Sequence, residues 1–294
     1  MKLTELFKID TIFIVQLGIL LLLFFSLYAP VFPDLFSDWF RHGDYYHSDN
    51  SHCILVPFIS LYFIWDRRKQ ILLHEIRSSK VGFFIFIIST IIYLMGYAGG
   101  IYIAIRLAMI FSLIGLLYYI LGEKVIKSIL FPLVFLIFMI PVPYSILRLI
   151  SLPLQTIITI AAAFIIGDVL SIPVFREGNM LHFTLTSLEV ADVCSGIRSL
   201  TSYIMLGSIF AYISKGSKKI KFILVFMSIP LAMVINLLRV AGTGVLAHYY
   251  GRQVAVGFMH ELSGILVFIL GLMAMALLWK FLGWFEQRLN KVDS

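Results

Sequence analysis

From Val81 to Ala98 the chain runs about 18 residues without a charged side chain, close to the length a helix needs to cross roughly 30 Å of hydrocarbon. In lipid a segment must satisfy its own backbone polar groups, which leaves helices or a closed barrel. Further apolar runs occur at Thr11–Ala29, His52–Trp65, Ile101–Leu121, broken only by Arg106 near its start, Ser128–Ile140, Cys194–Ile213, Phe222–Leu238 and Leu262–Leu282. With 61% hydrophobic and 13% charged residues and a mean hydropathy of +0.99, the 294 residues are too apolar for a soluble domain. The fold class expected is an all-α polytopic membrane protein, a single integral-membrane domain over 1–294 with no soluble C-terminal domain. The net charge of +7 does not imply nucleic acid, because the basic residues gather in short loops between apolar runs, as membrane topology predicts.

Those loops set the sidedness. Arg67, Arg68, Lys69, Arg77 and Lys80 mark one cytoplasmic loop, and Lys215, Lys218, Lys219 and Lys221 mark another. The first run follows Lys2 and Lys8 like a signal peptide, but Leu27 breaks the small-residue cleavage rule before Ala29, so a retained span is expected. Arg148–Leu170 is apolar enough to span. Were it to do so, the second lysine loop would face outward, so the sequence predicts an interfacial or re-entrant helix there, containing Pro153, Gln155 and several threonines. About eight transmembrane helices remain. Between Ile172 and Val190, Pro173, Gly178-Asn179 and the alternation Leu181-His182-Phe183-Thr184 predict a short outer β-hairpin.

On this topology three outward ends carry Cys194, Arg239 and His260, from spans far apart in sequence. A thiolate attacks an acyl carbon once an imidazole takes its proton, and a fixed cation stabilises the oxyanion. The trio suits acyl transfer at a peptide bond, with its motifs inside 188–264. Arg198, at i+4 from Cys194, either binds substrate or pairs with Asp192 or Glu189. Asn236, at i−3 from Arg239, is placed to orient it. Each has a plainer reading: a lone membrane cysteine is usually a packing residue, a terminal arginine usually snorkels, and His248 competes with His260. Cys53 fits packing better than catalysis. His42, Asp44, His47, Asp49 and His52 have ligand-like types, but their loop spacing fits headgroup contact better than a metal, and no metal or cofactor is expected.

The segment Glu189–Leu200, with Cys194-Ser195-Gly196-Ile197-Arg198, resembles the nucleophile motif of the exosortases and archaeosortases. Asn236-Leu237-Leu238-Arg239-Val240 resembles their arginine motif, and His260-Glu261-Leu262-Ser263-Gly264 their histidine motif. Ser51-His52-Cys53-Ile54-Leu55-Val56-Pro57 is similar to their first outer motif, with Cys53 where glycine is expected, and Pro141-Val142-Pro143 and Pro153-Leu154-Gln155 also fit.

The resemblance implies a membrane-embedded cysteine protease or transpeptidase, linked with exopolysaccharide systems and PEP-CTERM protein sorting. Its substrates would be secreted proteins whose C-terminal tails carry a Pro-Glu-Pro type motif, a transmembrane helix and a basic end. It implies cleavage at the outer face of the cytoplasmic membrane, with transfer to an unknown acceptor nucleophile. The implied roles are Cys194 as nucleophile, His260 as general acid/base and Arg239 as oxyanion or substrate stabiliser, with Ser195, Arg198, Asn236 and His52 supporting. Besides substrate tails and that acceptor, the partner expected is membrane lipid, with no nucleic acid.

A transporter or an exopolysaccharide export component is the rival class. It would favour charged or broken helices at the bilayer midplane rather than polar groups at outer ends. A metalloprotease would need paired His/Glu ligands within spans, and no His-x-x-x-His occurs.

Overall fold

The computed structural model describes residues 11–40, 50–74, 76–184, 186–190, 197–251 and 258–292. It divides into two units, Met1–Pro143 and Tyr144–Ser294.

In the first unit the leading apolar run forms α1 (Thr11–Leu27) and bends by 69° into α2 (Val31–Phe40). A 3₁₀ turn over Ser51–Ile54 leads into α3 (Leu55–Asp66) and the short α4 (Arg68–Leu72). Helices α5 (Lys80–Gly99) and α6 (Tyr102–Leu121) form a hairpin. Two glycines let their backbones touch: a Cβ on Gly82 would lie 2.1 Å from the Tyr119 nitrogen, and one on Gly115 2.5 Å from the Phe86 nitrogen. Small residues serve helix contact in lipid, where apolar side chains gain nothing by leaving the acyl chains. Helix α7 (Glu123–Phe135) contains Pro132 and passes into a 3₁₀ turn, Leu136–Met139.

Polar groups in this unit are matched one by one. The Arg106 guanidinium, 9% exposed, bonds Asp38 at 2.6 Å, joining α6 to α2. Trp39 Nε1 donates to the Met139 carbonyl at 2.9 Å. Ser60 Oγ donates to the Pro132 carbonyl at 2.7 Å, just before α7 ends and where helical pairing is incomplete.

The second unit begins with α8 (Tyr144–Phe164), which ends in a π turn over Ile165–Val169. Three antiparallel strands follow, β1 (Val174–Glu177), β2 (Met180–Phe183) and β3 (Ser187–Glu189), in the order β1-β2-β3. The hairpin expected over this stretch is present, with a third strand added. Glu177 pairs with Met180 across a two-residue turn, and Gly178 at its first position has φ +57°, the conformation such a turn requires of that residue. Leu181 and Phe183 point inward and His182 outward, following the alternation in the sequence.

Three helices complete the unit: α9 (Ile197–Ile213), α10 (Lys218–Tyr250) and α11 (Phe258–Val292). At 33 residues α10 is longer than the ~20 a span needs. Its far end packs under the sheet, where Val240, Ala241 and Ala247 join Leu181, Phe183, Leu188 and Val190 in one core with Ile158, Ala162 and Ile166 of the α8 segment. Gly244 makes this fit possible, since a Cβ there would lie 2.7 Å from Ile166 Cδ1.

Among the described residues, by length and composition five helices can cross a membrane, six if α1 and α2 count as one span. The apolar helices His52–Asp66 and Leu200–Ile213 are shorter, so the count of eight is not reproduced. The segment expected at the interface, Arg148–Leu170, largely coincides with the helix Ser145–Val169, which is itself long and apolar enough to span. Ser151, Gln155 and Thr159, spaced by four, are all buried. The polarity that suggested headgroup contact therefore includes a protein-facing stripe.

Candidate active site

The three helices bearing the motif residues form one bundle in the second unit. Tyr203 of α9 packs with Ala232 and Ile235 of α10. A Cβ on Gly207 would lie 3.0 Å from both Ser228 Cβ of α10 and Met275 Cε of α11. The Tyr203 ring lies over Gly271, where a Cβ would come within 1.8 Å of its hydroxyl. Farther along, Phe210 meets Trp279 with ring centroids 5.4 Å apart.

These contacts fix the register. Helices α9 and α10 are antiparallel, so ten residues back from Gly207 to Ile197 match ten residues forward from Ser228 to Leu238. Arg239 is thereby level with the start of α9, within about 1.5 Å of rise. Helices α9 and α11 run parallel, with Tyr203 beside Gly271 and Gly207 beside Met275. Extended backward, this places His260 about five residues, or about 7.5 Å of rise, beyond the level of Ile197. Arg239, the first turn of α9 and His260 belong to one end of the bundle.

Arg239 is not at a helix end. Helix α10 continues to Tyr250, and the residues past Arg239 form the platform under the sheet. Asn236, one turn earlier, is 1% exposed. Its Oδ1 and the Arg239 Nε are both shielded from solvent, as expected for groups held in a fixed direction rather than snorkelling to water.

Cys194 and Ser195 lie outside the described residues, as do His42, Asp44, His47 and Asp49. Arg198 is the second residue of α9, and His260 the third of α11. The rival His248 lies in the last turn of α10, its ring 6.1 Å from that of Phe183. His52 belongs to the first unit, where its Nε2 is 3.8 Å from the sulfur of buried Cys53. Among the described residues no group of three or more His, Cys, Asp or Glu side chains is placed to hold a metal ion.

Polar residues given less weight in the sequence also converge here. Asn179 Nδ2, at the hairpin turn, donates to Gln155 Oε1 of α8 at 3.0 Å. On the outer sheet face His182 Nδ1 and Ser187 Oγ lie 2.8 Å apart, with Glu177 3.4 Å from His182 Nε2. The turn dipeptide Gly178-Asn179 was the available signal for the first contact. The second needed the strand register.

A family model described as transmembrane exosortase matches residues 39–278 of the chain. Comparisons with curated proteins and with solved structures return no match.

Proposed function

Because the chain belongs to the transmembrane exosortase family, we propose that it is a cysteine transpeptidase or protease. In this reading it cleaves the C-terminal sorting signal of secreted proteins at the outer face of the cytoplasmic membrane. The observation that carries the reading is the bundle register, which brings Arg239, the start of α9 and His260 to one end of three packed helices. Cys194 precedes that start by three residues in the chain.

The chemistry is a two-step acyl transfer. His260 accepts the Cys194 proton, and the thiolate attacks the carbonyl carbon of the scissile peptide, forming a C–S bond. Arg239 stabilises the oxyanion. Collapse of the tetrahedral intermediate breaks the C–N bond, and His260 returns its proton to the leaving amine. The thioester is then taken by water or by an acceptor nucleophile, which restores the thiol. Asn236 directs the guanidinium, and Arg198 and Ser195 bind or orient the tail. A Pro-Glu-Pro type motif followed by an apolar helix and basic residues is the substrate class. An apolar helix delivers the motif at the bilayer surface, and the basic end stays on the cytoplasmic side.

The test is co-expression with a secreted protein ending in such a tail, followed by its size and by mass spectrometry of the new C-terminus. Cys194→Ala and His260→Ala abolish processing, and Arg239→Ala lowers turnover by about 10²- to 10³-fold, as for loss of an oxyanion donor. Processing that persists in Cys194→Ala would overturn the assignment and favour an export or assembly role.

A further inference from the structure

A continuous relay links α8 to Val190, the last described residue before Cys194. The Asn179 side chain donates from Nδ2 to Gln155 Oε1 at 3.0 Å, and its Oδ1 lies 3.3 Å from Thr156 Oγ1, whose single proton is shared with the Leu152 carbonyl at 3.0 Å. The main chain of the same residue accepts the Val190 N–H at 2.9 Å. This bond extends the β2–β3 ladder past its last paired residues, Met180 and Glu189. Gln155 is 4% exposed, and its own carbonyl accepts Thr159 Oγ1 at 2.7 Å. Burying an amide costs free energy that leucine, of similar reach, would not incur. A Gln at this point is therefore explained by the partner it holds.

We infer that Asn179 and Gln155 are positioning residues for the nucleophile, holding Val190, four residues ahead of Cys194, at a fixed point on α8. The inference rests on the assignment of Cys194 as nucleophile. The Val190 side chain is already buried in the core beneath the sheet. The amide relay adds direction, fixing the hairpin turn along α8, so that the strand leading to the motif cannot slide along that core. Misplacing a reacting group by about 1 Å costs on the order of a hundredfold in rate, so a small loosening here reaches turnover without unfolding the protein.

The test uses full-length protein in nanodiscs carrying Asn179→Ala, Gln155→Leu or both, with Cys194→Ala in parallel. Amide hydrogen exchange of peptides spanning 187–190 is expected to rise in each relay variant. Turnover of a tail substrate per folded enzyme is expected to fall by about tenfold or more at little-changed KM. The double variant is expected to lose less than the product of the two single losses, because both remove the Asn179–Gln155 contact. Unchanged exchange, or faster exchange with wild-type turnover, overturns the positioning role. Losses that follow only the amount of folded protein, or that multiply in the double variant, overturn it as well. Should Cys194→Ala retain processing while exchange still responds, the nucleophile assignment has failed and the positioning role falls with it, although the relay itself holds.

Discussion

At the scale of single residues, charges inside apolar segments carry the most information, because each needs a partner or a function. Arg106 is visible in the sequence as a lone charge in an apolar run, and the structure gives it Asp38 at 2.6 Å. The partner was not legible: Asp34, Asp38, Asp44 and Asp49 were equally available, and only the bend between α1 and α2 selects one. Asp38→Asn is expected to leave a buried cation without its counterion and to destabilise the protein by about 3 kcal/mol, read as a lower unfolding temperature in detergent. Arg106→Gln/Asp38→Asn together should cost less than Asp38→Asn alone. Arg239 was legible in a different way, through its spacing from Asn236 and its motif. Its place inside α10 was not, because the apolar run stops at Leu238 while the helix goes on over residues that the sheet covers. Arg239→Lys keeps the charge but loses the planar fork. Processing assays on this variant are expected to show at least about a tenfold drop in turnover, while the Arg239→Lys protein remains folded.

At the scale of elements, the helices and the hairpin could be read from periodicity, whereas the contacts that align them could not. Alternation from Leu181 to Thr184 announced the hairpin, but β3 is three residues long and left no pattern. Pro153, Gln155 and the threonines of α8 were visible, but the spacing by four that puts Ser151, Gln155 and Thr159 on one buried face emerged only with the structure. Glycines in α9 and α11 likewise gave no hint of their neighbours. The Tyr203 ring occupies the space that a side chain on Gly271 would need. Gly271→Ala is therefore expected to push α9 and α11 apart and to destabilise the bundle by about 1–3 kcal/mol. Tyr203→Ala, which empties that space, should restore part of the loss when combined with it. Unfolding temperatures of the two single variants and the double variant measure this coupling, and simple additivity would count against the packing described.

At the scale of the whole chain, family membership and multi-pass character agree with composition, while the arrangement across the bilayer turns on α8. Five or six helices have the length and composition of spans, and Ser145–Val169 is among them. If α8 crosses fully, the sheet lies on the cytoplasmic side and the four lysines of the Lys215–Lys221 loop face outward against the positive-inside tendency. If α8 instead lies along one face of the bilayer, the Lys215–Lys221 loop stays cytoplasmic and the sheet, Arg239 and the start of α9 face outward. The second arrangement suits the proposed processing of secreted tails, and the buried polar stripe of α8 suits it too, since that face is turned to protein rather than to lipid. In a Cys53→Ala/Cys194→Ser background, a cysteine at exposed Glu177 is expected to react with an impermeant maleimide added to intact cells. A cysteine at exposed Lys215 is expected to react only after permeabilisation. The opposite pattern would mean that α8 spans the membrane and that the sheet lies inside, where a thiol-dependent site would meet tails that have not yet been exported.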